Sequence, residues 1–376
     1  MSKKLLVVVN SADFFLSHRL PIALAAKQAG YEVHLATSGG DSVKRITELG
    51  LFHHAVPLTR SGRNPVREWR AAISLFRLMR QIKPSLVHLV TIKPVLFGGL
   101  AARLAGVPAA VAAVSGLGTV FLARGKVAQL VRWCVGILYR LALGHKNMAV
   151  IFQNPDDRDA LMGIGAVRWA QVRIIRGSGV DLASCPCRPE PNGMPVVTMA
   201  ARLLRDKGVE EFVEAARLVK AQGLAVRFQL IGSPDPGNPT SITADELARW
   251  KEEGVLELPG YRDDIPEQYA SSHIVCLPSY REGLPKSLVE AAACGRAVVT
   301  TDVPGCRDAI EPGNTGVLVP VRNAQALANA IQDLVENPHR RRALGIAGRE
   351  LAEQAFAIEK IVGAHLAIYR ELEASS

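Results

Sequence analysis

The strongest constraint in this chain is a rhythm. Short apolar runs alternate with helix-length stretches, and the alternation runs twice. "LLVVVN", "YEVHLAT", "HHAVPL", "SLVHLV", "AAVAAV" and "MAVIFQN" mark six strands in the first half. Runs that are apolar at nearly every position belong to strands buried on both faces, as in parallel sheets covered by helices. Helices are expected over Ser17–Ala29, Pro65–Ile82 and up to Ala105. The pattern lapses between residues 174 and 195, where Gly177, Gly179, Pro186, Pro189, Pro191, Gly193 and Pro195 read as a linker. It restarts with "VVTMA", "VRFQLIG", "VLELPG", "HIVCLPS", "AVVTT" and "TGVLVP", and helices fill 322 to 376. Two α/β domains follow, each open and doubly wound, over residues 1–180 and 181–376. The last helix, about 358–376, is expected to pack back on the first domain. In such sheets ligands bind outside the carboxyl ends of the strands.

Charge is divided unevenly. Residues 1–190 hold 25 Lys/Arg against 10 Asp/Glu, within a net charge of +10 for all 376 residues. The densest cluster is Arg60, Arg63, Arg67, Arg70, Arg77, Arg80 and Lys83. Such asymmetry points to a polyanion or an anionic membrane as partner of the first half, or else to a solvated surface. Residues 104–123 carry no charge, but Gly106, Pro108, Gly116 and Gly118 punctuate them, so a strand and a glycine-rich loop are expected rather than a membrane span. In the helix 126–143, Leu130, Trp133, Ile137, Leu138 and Leu141 share a face. That face suits a membrane interface or the core equally well. The apolar run Leu5–Val9 is too short for a signal peptide. The six cysteines form no C-x-x-C pair and read as reduced cytosolic thiols, with no zinc spacing.

Two segments carry chemistry. "HIVCLPSYREGLPKSLVEAAACG" is a strand, a loop with Glu282 and Gly283, and a helix with Pro285 in its first turn. Free N–H groups there suit an anion, Gly283 admits close approach of a ligand, and Glu290 can accept two hydroxyl hydrogen bonds, as the acidic residue on a ribose does. "AARLLRDKGVEEF" places Arg202 and Lys207 after another strand. A guanidinium fork with an ammonium suits a diphosphate, although two solvated surface cations would look the same.

Together, "ARLLRDKG" and "SYREGLPKSLVEAAACGRAVVTTDVPGCRDAI" resemble the retaining, nucleotide-sugar-dependent glycosyltransferases of family 4, and the resemblance covers nearly the whole chain. It implies the GT-B fold: two facing Rossmann-like domains with a cleft between them. "TIKPVLFGGLAARLAGVP" and "SGLGTVF" look most like bacterial enzymes that extend undecaprenyl-diphosphate-linked glycans. The resemblance implies that Glu290 holds the ribose and Glu282 lies against the donor sugar. Arg202 and Lys207 neutralise the diphosphate, while Gly283, Leu284 and Pro285 meet sugar and phosphates through the backbone. Tyr261 and Arg262 frame the nucleobase. The common glycine pair of the first loop is here "SADFFLSH", and the second histidine after the fourth strand is Val90, while His88 remains. His18 stands in as the catalytic candidate of the first domain, with Arg19 and Lys93 as acceptor contacts.

The implied activity moves a hexose or N-acetylhexosamine from a nucleotide sugar, UDP-linked, to a lipid-linked saccharide. The protein is expected to be cytoplasmic and peripheral on the inner face of the membrane, with no cofactor and no metal requirement. The alternative is a GT-B enzyme with a soluble acceptor, or a sugar-nucleotide epimerase. An NAD enzyme does not fit, because Phe121 stands where the third glycine of G-x-G-x-x-G belongs. No basic-aromatic interleaving supports a nucleic-acid partner, with aromatics at 5%.

Overall fold

A computed structural model describes residues 3–58, 65–117 and 126–375. Arg60 and Arg63 of the basic cluster, and Gly118 and Phe121 of the glycine-rich loop, lie outside them. The chain divides into two units, Met1–Ser178 with Glu359–Ser376, and Gly179–Ile358.

Unit 1 has strands β1 (Lys3–Val8), β2 (Tyr31–Thr37), β3 (Phe52–Ala55), β4 (Leu86–Val90), β5 (Ala109–Val114), β6 (Met148–Phe152) and β7 (Val172–Ile174). All pair in parallel in the order β3-β2-β1-β4-β5-β6-β7. Its helices are α1 (Ala12–His18), α2 (Leu20–Gln28), α3 (Val43–Glu48), α4 (Pro65–Ile82), α5 (Gly99–Ala105), α6 (Lys126–Leu143) and α7 (Pro155–Gly163). The continuous apolar runs have the expected cause. Leu6 and Val8 enter one core with Ala110 and Ala112, while Leu5, Val7 and Val9 enter the core on the other face with Ala109 and Val111. β7 and α3 are too short to show in the hydrophobic rhythm, and α7, "PDDRDALMG", is charged through most of its first half.

Unit 2 has β8 (Val196–Ala200), β9 (Arg227–Ile231), β10 (Glu257–Gly260), β11 (Ile274–Leu277), β12 (Ala297–Thr301) and β13 (Gly316–Val319), parallel in the order β10-β9-β8-β11-β12-β13. Helices α8 (Val209–Ala221), α9 (Ala244–Glu253), α10 (Ile265–Ala270), α11 (Lys286–Ala293), α12 (Ala324–Glu336) and α13 (Pro338–Leu351) cover it. α14 (Ile358–Ala374) then puts Ile361, Ile368, Tyr369 and Leu372 into a core of unit 1. In each sheet the strand order reverses at one crevice, between β1 and β4 in unit 1 and between β8 and β11 in unit 2.

One helix differs from expectation. The stretch expected as Ser17–Ala29 is two helices broken at Arg19. Ser11 caps α1 by accepting from the Phe14 amide at 3.2 Å, so helix starts directly after β1. Pro21, in the first turn of α2, has no N–H with which to continue the α1 ladder. His18 therefore ends a helix rather than opening one.

α14 is docked on buried polar groups. His88, in the middle of β4, shares a 2.6 Å hydrogen bond between its Nδ1 and the Tyr369 hydroxyl. His365 donates from Nδ1 to the Ile361 carbonyl at 2.8 Å. Burial, reinforced by the Arg19 guanidinium, pulls His365 down to about 3. Burial likewise holds His88 well below its ordinary value, with His365 and Arg19 adding to the effect. The unfolded imidazoles gain a proton below about pH 6.5, whereas the folded ones stay neutral. Stability is therefore complete above that pH and is lost as pH falls. Between pH 7 and pH 5, His365 alone should remove about 2 kcal/mol. Denaturant titrations at the two pH values check this, and the loss should shrink in His365→Leu. Equal stability at both pH values contradicts it.

Candidate functional site

The unit 2 crevice lies between β8 and β11, and both chemistry-bearing segments leave the carboxyl ends of these two strands. Ligands of open α/β sheets sit at such a reversal point. After β8, Arg202 donates from Nη1 to Asp235 Oδ2 at 2.7 Å. Lys207 closes a single helical turn, Arg205–Lys207, which ends at Gly208 with φ 75°. A Cβ on Gly208 would lie 2.1 Å from the Pro278 carbonyl oxygen, so only glycine lets this turn press against the exit of β11.

After β11 the loop is held from three directions. The Tyr280 amide donates to the Asp206 carbonyl at 2.9 Å and the Glu282 amide to the Pro304 carbonyl at 3.1 Å. Gly305, at φ 82°, packs on the Glu282–Gly283 peptide so closely that a Cβ would stand 2.4 Å from the Glu282 carbonyl oxygen. The Tyr280 hydroxyl donates to Glu211 at 2.6 Å, under the Arg322 guanidinium. These braces bring Lys207 and Glu282 into a direct ion pair, both side chains largely sheltered.

Leu284 is buried, and Pro285 is the N-cap of α11, one position earlier than expected. Its ψ of 121° is extended, so the helix proper begins at Lys286. Glu290 is on the second turn. Burial pushes its carboxyl up from the ordinary carboxylate range, opposed by Lys286 at 3.3 Å. Arg202, Lys207, Glu282, Gly283, Leu284, Pro285 and Glu290 are thus all carried by the exits of two adjacent strands. Tyr261 and Arg262 follow β10, farther along the sheet. Tyr261 is exposed, and Arg262 is tied to Asp264 at 2.6 and 2.8 Å. Among the described residues no hydrogen bond or ion pair joins them to the other candidates.

In unit 1, the half-buried His18 ring stacks on Phe14 with centroids 4.2 Å apart, and its Nδ1 lies 2.6 Å from the Ser17 hydroxyl. Of the two acceptor contacts expected, Arg19 is not at the surface. Arg19 is 3% exposed, and burial pulls its guanidinium down to about 10, opposed by Tyr369. It is a core residue, misplaced because charge alone suggested a surface. The Lys93 ammonium is paired with Glu68 of α4, as Lys207 is with Glu282, so an acceptor there would have to share it. Sequence reasoning also missed Asp235, Ser279, Gly208 and Gly305. The two glycines carried the available signal, as residues just after a strand-end motif.

The face of α6 is settled by exposure. Tyr139, Ala142 and Leu143 point inward, while Trp133 and Leu141 face solvent. Among the described residues no helix is long and apolar enough to cross a membrane.

Comparison with known proteins agrees with this geometry. Residues 194–337 match the family described as Glycosyl transferases group 1, and residues 4–154 match Glycosyl transferase 4-like. The chain is 30% identical over 344 residues, 86% of its length and 89% of the relative's, to N,N'-diacetylbacillosaminyl-diphospho-undecaprenol alpha-1,3-N-acetylgalactosaminyltransferase of Campylobacter jejuni. It is 24% identical, over 71% of its length and 70% of the relative's, to the Escherichia coli UDP-Gal:alpha-D-GlcNAc-diphosphoundecaprenol alpha-1,3-galactosyltransferase. Among solved structures, a glycosyltransferase from Rickettsia africae superposes with a TM-score of 0.79 over the full length of both chains at 19% identity. Anabaena Alr3699/HepE in complex with UDP and glucose gives 0.76 over 98% of this chain and 100% of that one, at 18% identity. These likenesses show the GT-B class of fold. The chain belongs to the group 1, family 4-like glycosyltransferases.

Proposed function

We propose that the protein moves a hexose or N-acetylhexosamine, with retention at the anomeric carbon, from a UDP-linked sugar to a saccharide carried on a polyprenyl diphosphate. The observation that carries this reading is the convergence of Lys207 and Glu282 at the unit 2 reversal point, with Arg202 and Glu290 on the same two strand exits. The names of the relatives support the donor and acceptor classes.

The bond from anomeric carbon to phosphate oxygen breaks, and one from anomeric carbon to acceptor oxygen forms on the same face. The acceptor proton passes to the departing phosphate. Negative charge therefore grows on the diphosphate. Arg202, Lys207 and the N-terminus of α11 are the groups that stabilise it, so the reading assigns this task to side chains and backbone rather than to a metal. Glu290 holds the ribose and Glu282 the sugar. The test is transfer from a panel of nucleotide sugars to a polyprenyl-diphosphate-linked N-acetylglucosamine, with the product anomer read by NMR. An inverted product overturns the retaining assignment, and products formed only on water-soluble saccharides overturn the lipid-linked one.

Unit 1 supports the membrane side of this reading. Val66, Trp69 and Ile73 lie along one exposed stripe of α4, and Leu104, Trp133 and Leu141 are exposed on α5 and α6, which pack in series beside it. Arg67, Arg70, Arg77, Arg80 and Arg103 stand among them. Indoles and cations mixed on one face suit the headgroup layer. Each cation there contributes on the order of 1 kcal/mol on an anionic surface, screened by salt. The protein should co-sediment with anionic vesicles at low salt, release at high salt, and bind less as Trp69→Ala/Trp133→Ala. If it stays in the supernatant with and without anionic lipid at either salt, and Arg67/Arg70/Arg77→Glu leaves transfer to the lipid-linked acceptor intact, the charge is only solvation.

A further inference from the structure

We infer that Ser279 is a positioning residue for Glu282, holding one carboxylate oxygen so that the other is presented to the donor sugar. This rests on the donor-site reading above. Ser279 is fully buried two residues past β11. Its Oγ lies 2.7 Å from Glu282 Oε1 and 3.0 Å from the Asp206 carbonyl oxygen. A hydroxyl has one proton, and the shorter, charge-assisted bond to the carboxylate takes it. The backbone around it is fixed, since the Ser279 carbonyl accepts from the buried Thr301 hydroxyl.

The Lys207 ammonium donates to the same oxygen, Oε1. Two donors thus converge on one oxygen, and among the described residues none donates to Oε2. With Oε1 held by two donors the planar carboxylate is fixed in orientation, which leaves the lone pairs of Oε2 for a ligand. The two donors differ in what happens during turnover. Lys207 stands where a diphosphate would draw its charge away from Glu282. Ser279 is neutral and fully buried, so a diphosphate draws no charge from it and it keeps Glu282 in place at the moment charge develops. The role is to act through Glu282, not to touch the reacting atoms.

The test is a double-mutant cycle, with donor kinetics and binding of UDP, or of the nucleoside diphosphate of whichever donor the wild type turns over. Ser279→Ala should lower kcat/KM about tenfold, carried mainly by kcat. In a Glu282→Gln background the same change should cost under about threefold. Affinity for the bare nucleoside diphosphate should stay within about twofold, because that ligand has no sugar for Glu282 to meet. An equal penalty in both backgrounds overturns the inference. So does a parallel loss of nucleoside diphosphate affinity, since that makes Ser279 a brace for the Asp206 turn. Should Ser279→Ala unfold, Ser279→Cys keeps the volume with a far weaker donor and enters the same cycle. A wild type that binds no nucleoside diphosphate and transfers no sugar defeats the donor-site reading instead, which is a separate outcome.

Discussion

Replacing Lys207 by alanine should lower kcat roughly 100- to 1,000-fold, the usual range for removing one preorganised donor from developing negative charge. The KM for the donor should rise much less. The argument is one of timing. In the ground state Lys207 already has a partner, Glu282, so a bound diphosphate must share it. Its full electrostatic benefit arises only when the leaving group gains charge. An interaction made chiefly in the transition state appears in kcat, whereas uniform binding appears in KM. Glu282 remains held by Ser279 in the variant, so the loss reports the missing cation rather than a collapsed loop. Arg202→Lys should also be harmful, because the ammonium lacks the planar fork. Steady-state kinetics with varied donor check both. If Lys207→Ala raises KM and leaves kcat intact, its role is ground-state binding.

How much of this was readable beforehand follows from what sequence encodes locally. Twelve strands showed themselves because parallel strands bury both faces, and "LLVVV" or "AAVAAV" can do little else. The site was legible where a residue's chemistry and its place after a strand coincide, as for Arg202, Lys207, Glu282 and Glu290. It was not legible where the partner is distant in sequence. Ser279 meets Asp206, and Gly305 meets Glu282, through the folding of separate loops onto one crevice. Arg19 misled because a charge is ordinarily exposed, yet here the break at Pro21 and the docking of α14 enclose it. The partner of Lys93 was not legible either, since Glu68 lies 25 positions away on α4. In α6 the apolar face named from the sequence is split, with Trp133 and Leu141 outward and Leu138 against the core, while the buried Tyr139 and Ala142 contribute less obvious hydrophobicity.

The second large effect concerns Glu290. Its half-buried side chain stands on the second turn of α11, where burial pushes its carboxyl up and Lys286 opposes the cost. A sheltered carboxylate beside a ligand crevice is placed to accept hydrogen bonds, and a ribose offers two hydroxyl donors. Glu290→Gln preserves the shape but exchanges a charged acceptor for a neutral one. That exchange costs about 1.5–3 kcal/mol, or roughly one to two decades in affinity. Because the ribose belongs to the nucleotide and not to the sugar, the loss should appear with a bare nucleoside diphosphate. Isothermal titration of UDP, together with the other nucleoside diphosphates, against the wild type and Glu290→Gln therefore decides whether the unit 2 crevice is the donor site. The site described here predicts saturable one-to-one binding of one nucleoside diphosphate to the wild type, weakened about 10- to 100-fold in the variant. Equal affinity in the two proteins, or no binding by the wild type, would contradict it.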